Sequence, residues 1–512
     1  MAPKSIPPTP LVAPQEIELK LRVLGLETEE ALHRLARSPS LARRQPQRRW
    51  LVNRYYDTPD QQLRQHRCAL RLRQTLDSPS STDATSRSWK QTLKTAGHTQ
   101  GGLSQRGEWE ADVPEGQLQR AALHGTAWDA LDPDDAWFTQ LQPCFETRCE
   151  RTTWRVRRRD ATVVEVALDA GTIEAAGRCE DFLELELELI QGEPAALFAL
   201  ARELAARVPC LPSSRSKAEQ GQALADGSLH AVTKARRLMA IPGEPIGGLA
   251  QRAMADMLEQ FTRNLEALMY DDVPELVHQA RVGWRRWRSM EKLLRPWLGA
   301  PIDHTPLQPL LQALGQQRNL DVASTETLPG WADAWPGDAA VWADGAARLE
   351  QARCQQRCTV RRWLTTPATG LVLLQLAETL WHMTPTSADF TRRAARQRLA
   401  RWHRKLHRLL TDQSGGAIDL ASLHEARLLA KRLRYGSEAL ASAMARKHQR
   451  ETARWLAEAT EWQTRIGQAR DAWQAGACLE QVGASEKQVY FLRGIGACMD
   501  RHAQALARRT PS

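Results

Sequence analysis

The chain has 512 residues, more than one ordinary hydrophobic core serves, so two or more domains are expected. Hydrophobic residues at 42% and charged residues at 25% fit a globular protein with a sizeable core, and the longest apolar run, Leu371 to Trp381, is too short for a membrane span and carries Glu378. The formal net charge of +10 is uneven: residues 1–240 carry +1 and residues 241–512 carry +9, so a polyanionic partner is expected of the C-terminal half.

In chain order, Met1 to Pro14 holds five prolines and no apolar stretch, which predicts a flexible tail over residues 1–14 rather than an export signal. Nine scattered cysteines show no pairing logic; Cys354 and Cys358 lack the second pair a zinc site needs, so free thiols in a reducing cytoplasm are expected. From Gln15 to Lys217 the sequence reads as short alternating strands. In Glu16-Ile-Glu-Leu-Lys-Leu-Arg-Val23 one face is apolar and the other is Glu16, Glu18, Lys20 and Arg22. Leu70–Arg73, Trp89–Lys94, Arg106–Glu110, Val163–Asp169 and Leu183–Leu189 repeat this, each with charges on one face. A sheet closed on itself accommodates such strands, with charged faces inward and apolar faces against outer helices. A lumen of mixed acids and bases suits an anion bound together with a divalent metal, Arg and Lys taking phosphate oxygens and carboxylates holding a hard cation.

Glu16-x-Glu18-x-Lys20, followed in order by Arg71-x-Arg73, Lys94, Arg106-x-Glu108-x-Glu110, Arg151-x-x-Trp154, Glu165, Asp169, the Glu184/Glu186/Glu188 strand and Ser216-Lys217, resembles the CYTH superfamily of triphosphate tunnel metalloenzymes. The resemblance implies an α+β domain over residues 15–220 built on a closed antiparallel β-barrel, the triphosphate tunnel. It implies phosphate contacts from Lys20, Arg71, Arg73, Lys94, Arg106, Arg151 and Lys217. Mg²⁺ or Mn²⁺ would be held by Glu16, Glu18, Asp169 and members of the Glu184, Glu186, Glu188 row, which of the three being left open. Lys20, Arg71, Arg73, Lys94 and Glu165 form the implied catalytic set, with a second metal or a nearby carboxylate orienting the attacking water. For each of Arg22, Lys90, Arg155, Arg157 and Arg215, a place in the lumen and a place at the solvated rim or in a surface ion pair are equally expected.

Residues 221–248 predict a connecting helix and linker, the Pro- and Gly-rich Ile241 to Gly248 being the linker proper, and residues 249–509 an all-α domain. Thr325 to Asp344, with several acids and two prolines, reads as a long connection. His278, Arg281, Arg285, Arg286 and Arg288 recur 146 residues later as His424, Arg427, Lys431, Arg432 and Arg434, which predicts two pseudo-symmetric helical bundles. Leu314-Gly-Gln-Gln-Arg318 likewise recurs as Ile466-Gly-Gln-Ala-Arg470. Offsets 0, 3, 7 and 10 share a helix face, and like charges stacked there need a reason. The His-x-x-Arg and Lys-Arg-Leu-Arg-Tyr pieces resemble the CHAD domain, which implies polyphosphate binding by His278, Arg281, Arg285, Arg288, His424, Arg427, Lys431 and Arg434. Arg401 and Lys405, on a further basic helix, are counted with them. The Trp residues at 284, 287, 402, 455, 462 and 473 are expected in helix packing.

The resulting expectation is a cytoplasmic, metal-dependent inorganic triphosphatase that also binds inorganic polyphosphate, with association to polyphosphate granules. Hydrolysis of an organic triphosphate, a cyclase, and a polyphosphate-binding scaffold are the alternatives. Nucleic acid is disfavoured, because no base-stacking aromatics recur at regular spacing; no membrane partner is expected, and the oligomeric state is left open.

Overall fold

The computed structural model describes residues 15–78, 88–114, 116–298, 301–383, 390–411 and 420–507, so the expected tail lies outside the described residues. Two compact units divide the chain, Met1–Ala231 and Val232–Ser512.

The first unit contains strands β1 (Gln15–Val23), β2 (Gln47–Asp57), β3 (Ala69–Leu76), β4 (Ser88–Lys94), β5 (His98–Gln100), β6 (Leu103–Asp112), β7 (Gln142–Arg157), β8 (Val163–Ala175), β9 (Arg178–Gln191) and β10 (Cys210–Pro212). Helices α1 (Thr28–Leu35), α2 (Gln62–Gln65), α3 (Trp128–Leu131), α4 (Ala195–Ala205) and α5 (Lys217–Ala225) connect or cover them. The sheet runs β1-β9-β8-β7-β2-β3-β4-β6, and β6 pairs back onto β1 antiparallel, so the barrel closes. Gly102, at φ +88°, turns the chain between β5 and β6 where its carbonyl accepts from Lys20 N at 3.0 Å; a side chain there would press on Lys20 O.

The alternation in sequence becomes two buried faces. Leu19, Leu21, Leu185 and Leu187 point outward and are fully buried beside α4, whose Leu197, Phe198, Leu200, Ala201 and Leu204 form its inner stripe. Each buried leucine contributes on the order of 1.5–3 kcal/mol. On the inward face Tyr55 and Phe145 stack at 4.4 Å, in a cluster on which Leu224 and Ala218 of α5 rest. The inward faces carry the charges: Glu18, Lys20 and Arg71 are buried although each is ionisable.

The second unit contains α6 (Ile246–Ala267), α7 (Pro274–Leu294), α8 (Gln308–Val322), α9 (Leu328–Trp331), α10 (Ala339–Leu364), α11 (Pro367–His382), α12 (Arg392–Thr411), α13 (Leu420–Leu440), α14 (Arg446–Gln481) and α15 (Glu486–Ala507). Arg392 follows Ile246, and Leu420 follows Pro274, by 146 residues, so the internal repeat is structural as well as sequential. In this repeat α6, α7, α8 and α10 correspond to α12, α13, α14 and α15. The copies meet where α7 packs on α13 and α8 on α14. Helix α11 stands outside the repeat and lies against α6.

Two expectations on the chain path are corrected. Thr325–Asp344 is largely helical: a π-helical turn, Ala323–Thr327, leads into α9, and α10 begins at Ala339. Pro329 sits in the first turn of α9, where its missing N–H is no loss, and the Asp338 carboxylate caps α10 by accepting from Ala340 N at 2.8 Å. The loop-like residues are thus helix-start signals. The linker also ends early, because α6 takes in Ile246, Gly247 and Gly248 after Pro245. Trp284, Trp287 and Trp455 are buried, whereas Trp473 is 50% exposed, its ring under the Arg493 guanidinium. The side chain of Trp462 lies outside the described residues.

Candidate functional site

The barrel encloses a cavity of about 680 Å³. Strand register stacks its charges in three rows. At one level Arg22 stands opposite Glu184, Glu184 opposite Asp169 and Asp169 opposite Arg151, across β1, β9, β8 and β7. At the next, Lys20 faces Glu186. At the third, Glu18 faces Glu188 and Glu188 faces Glu165, which sets three carboxylates side by side on β1, β9 and β8.

The first two rows are compensated. Arg151 makes two hydrogen bonds to Asp169, each 2.6 Å, and one to Glu186 at 2.5 Å. Lys217 enters from the first turn of α5 and bridges Asp169 and Glu186 at 2.7 Å each and Glu184 at 3.2 Å. A capping box between Ser216 and Glu219 fixes that turn. Lys20 pairs with Glu186 at 3.0 Å. Opposite charges hold Glu186 well below the usual carboxylate range against the cost of its burial.

The third row is not compensated. Like charges directly opposite on neighbouring strands are destabilising. Arg106 relieves Glu18 at 2.5 Å, and Arg106 and Lys94 both hold Glu16 at 2.8 Å. Among the described residues Glu188 and Glu165 make no ion pair, and burial with the charges of Glu16, Glu108 and Glu165 pushes the Glu188 carboxyl up to about 7. The opposite imbalance lies on β3. Arg71 reaches Glu108 at 3.5 Å and Glu110 at 3.6 Å, but Arg73 only donates to Asn53 Oδ1 at 2.8 Å. Burial beside Arg71 and Arg151 brings Arg73 down to about 10. One cavity therefore holds a patch short of anions and a patch short of cations.

All seven expected phosphate contacts line this cavity, as do Glu16, Glu18, Glu165, Asp169, Glu186 and Glu188. Glu184 does not; it is spent on Gln220, Lys217 and Arg22 behind the wall. Strand alternation puts it on the inward face, and the contact with α5 seals it off. Glu108 and Glu110 line the cavity and had no role from sequence, although their spacing on β6 was visible. Of the undecided arginines, Arg155 and Arg157 are exposed.

Among the described residues no three His, Cys, Asp or Glu side chains are gathered closely enough to cage a metal ion. The Glu18–Glu188–Glu165 row nevertheless supplies hard oxygen donors with unbalanced negative charge. That set fits Mg²⁺ or Mn²⁺, which take one or two carboxylates and complete their coordination with phosphate oxygens and water.

In the helical unit, His278, Arg281 and Arg285 on α7 face Arg427 and Lys431 on α13. Burial and the charges of Arg285, Arg427, Arg470 and Arg281 push Lys431 down to about 7, and burial, Arg285 and Arg318 bring Arg281 to about 10. These side chains form one basic cluster where α7 packs on α13. Arg318 and Arg470 belong to it and were not assigned from sequence, although they end the repeated Gly-Gln elements. Arg288, Lys405 and Arg434 each have an acid partner, Glu291, Glu425 and Glu438 respectively, and the acid lies on the same helix for Arg288 and Arg434. Arg401 is exposed on another groove, between α12 and α14. His424 lies on α13, its side chain outside the described residues.

Comparison with known proteins followed from this geometry. Residues 14–221 match the CYTH domain family and residues 252–480 the CHAD domain family. An inorganic triphosphatase from Haemophilus influenzae is 33% identical over 214 residues, 41% of this chain and 55% of that protein, so the chain spans about half the length of this curated relative. Among solved structures, the CHAD domain from the plant Ricinus communis is similar over 55% of this chain and 98% of its own, at 24% identity and a TM-score of 0.46. A candidate adenylyl cyclase from Hippeastrum, for which a dominant triphosphatase activity is described, is similar over 41% and 95%, at 18% identity and a TM-score of 0.28.

Proposed function

We propose, for a chain that joins a CYTH domain to a CHAD domain, that the barrel hydrolyses inorganic triphosphate to pyrophosphate and phosphate with Mg²⁺ or Mn²⁺, and that the helical domain binds polyphosphate. The observation that carries the reading is the separated charge imbalance in one enclosed cavity. Arg73, with Arg71 and Arg151, awaits anionic oxygens; Glu188, with Glu165 and Glu18, awaits a cation. A condensed phosphate carrying a divalent ion satisfies both at once, and neither a neutral ligand nor a metal-free anion does.

In this reading Arg71, Arg73, Arg106, Arg151, Lys20, Lys94 and Lys217 fix the phosphate chain and take up the charge that develops during transfer. A divalent ion, when bound, would be held by Glu188 and Glu18 and would supply neutralisation of the phosphate charge, and Glu165, next to Glu188 in the same row, would orient the attacking water. Seven of the eight barrel strands bring charge to the lining, β2 alone supplying only Leu51, Asn53 and Tyr55, which favours an inorganic chain over an esterified one.

Phosphate release from triphosphate, measured with Mg²⁺ or Mn²⁺ against ATP and thiamine triphosphate, tests the assignment. Turnover is expected to require the metal and to stop on chelation, and faster release from ATP would replace the inorganic substrate by an organic one. The variant Glu188→Gln is expected to raise the Mn²⁺ concentration for half-maximal rate at least about tenfold, the smaller end of what even an outer partner of a metal contributes. An unchanged metal requirement would remove the carboxylate row from the metal site.

Polyphosphate binding has its own pH signature. Burial and the charges of Arg285, Arg427, Arg470 and Arg281 bring Lys431 down to about 7 in the free protein. A polyanion favours its charged form, so its pKa rises on binding. Affinity is therefore full below about pH 7 and weakens as pH rises past it, with a proton taken up on binding. Titration calorimetry at pH 6 and pH 8.5 in buffers of different ionisation enthalpy checks this; Lys431→Arg is expected to flatten the profile.

A further inference from the structure

The internal repeat exposes a difference between its two halves. In the first, α11 lies against α6 and against the turn Thr305–Leu307 that leads into α8. The α6 positions Ala250, Met254, Met257 and Leu258 are fully buried. Gln251 finishes the contact: its Nε2 donates to Leu380 O at 2.8 Å and Met383 O at 3.4 Å, the carbonyls at the C-terminal end of α11. Moved by 146 residues, these α6 positions are Arg396, Ala400, His403 and Arg404 on α12, and Gln251 becomes Gln397.

Among the described residues no helix covers this second groove, which holds a cavity of about 470 Å³ between α12 and α14. Its floor is built. The His403 ring stacks on the buried Trp455 at 5.3 Å and pairs with Glu458 at 2.7 Å, and Arg396 is fastened to Glu451 at 2.8 Å. Its rim is open: Arg401 and Arg404 are exposed and, among the described residues, make no ion pair, and Gln397 has no hydrogen-bond partner there.

We infer that the α12/α14 groove is a docking site for a helix of a partner protein, seated as α11 is seated on α6, with an acidic face toward Arg401, Arg404 and Arg454 and its C-terminal carbonyls on Gln397. The apolar contacts of the first half are replaced by charged ones, which suits a reversible partner better than a permanent part of the same core. The negative end of a helix dipole is favoured beside arginines, and Gln251 shows what an equivalent glutamine does when a helix end arrives.

The probe is a fluorescent 16-residue acetylated peptide of Ala and Leu, the length of α11, with Glu along one face and a free C-terminal carboxylate. Its control is a peptide of the same length and charge with two central prolines. Anisotropy with the full chain is expected to show saturable binding of the helical peptide, at least about tenfold tighter than the proline control, a difference of 1.4 kcal/mol. Arg404→Glu/Arg454→Glu is expected to weaken it by at least the same factor, and Gln397→Leu measurably, while triphosphate turnover stays unchanged. Equal affinity for both peptides would mark a plain anion site and overturn the inference, as would indifference to the double substitution or failure of the wild-type chain to bind.

Discussion

Replacing Arg73 with Met is expected to lower kcat/KM for triphosphate by about 10²–10³-fold, the loss typical of one preorganised charge donor, and to leave the melting temperature unchanged or higher. The two effects separate because Arg73 is a half-buried cation that, among the described residues, makes no ion pair with a carboxylate. Its hydrogen bond to Asn53 is neutral, and Arg71 and Arg151 repel it. Its removal orphans no charge and relieves some of the cost of burying one. A residue whose charge is unfavourable to the empty fold is explained by what it binds. Phosphate-release kinetics and thermal unfolding on the same preparation decide the matter: a large fall in melting temperature with near-normal turnover would make Arg73 a structural residue.

Lys217→Met is expected to do the opposite to stability, destabilising the barrel by roughly 3–5 kcal/mol because it removes one partner from a buried ionic network. At roughly 2–4 °C per kcal/mol for a domain of this size, the melting temperature should fall by about 10 °C. Lys217 bridges three carboxylates at once, and one of them, Asp169, is fully buried. Arg151, Lys20 and Arg22 remain, but each reaches only part of what Lys217 joins: Arg151 holds Asp169 and Glu186, Lys20 holds Glu186 and Arg22 holds Glu184. The network carries a pH dependence. Opposite charges hold Asp169 and Glu186 below their ordinary range despite burial, so their contribution is present above about pH 4, the unfolded value, and is lost as pH falls through the folded values. The gap between Lys217→Met and the wild type should thus be widest near neutrality and narrow below about pH 4. A gap constant with pH would place the loss in packing against Phe182, whose ring lies 5.3 Å from the Lys217 ammonium.

Much of the site was legible from local pattern. A strand alternates strictly, so Glu16, Glu18 and Lys20 had to share a face once Ile17, Leu19 and Leu21 took the other. The helical repeat was equally open to reading, because offsets of 3, 7 and 10 recover one face without knowledge of the neighbouring helix. Arg318 and Arg470 were missed for a related reason: each ends a repeated element but stands alone, and only the packing of α8 and α14 beside α7 and α13 brings them to the same groove. The stripe position of Arg288 and Arg434 likewise said nothing of their ion pairs with Glu291 and Glu438 one turn on.

Periodicity in the chain alone determined which face of each element is charged, how many charges it bears, and that the helical half is duplicated. Register and closure, which depend on contacts between residues far apart in the chain, decided the rest. They set Glu18, Glu188 and Glu165 abreast, sealed Glu184 off under α5 and, among the described residues, left Arg73 without an ion pair and one of two equivalent helical grooves uncovered. Side-chain direction is a local property of the backbone, whereas the balance of charge at a point in space is a sum over every strand or helix that reaches it.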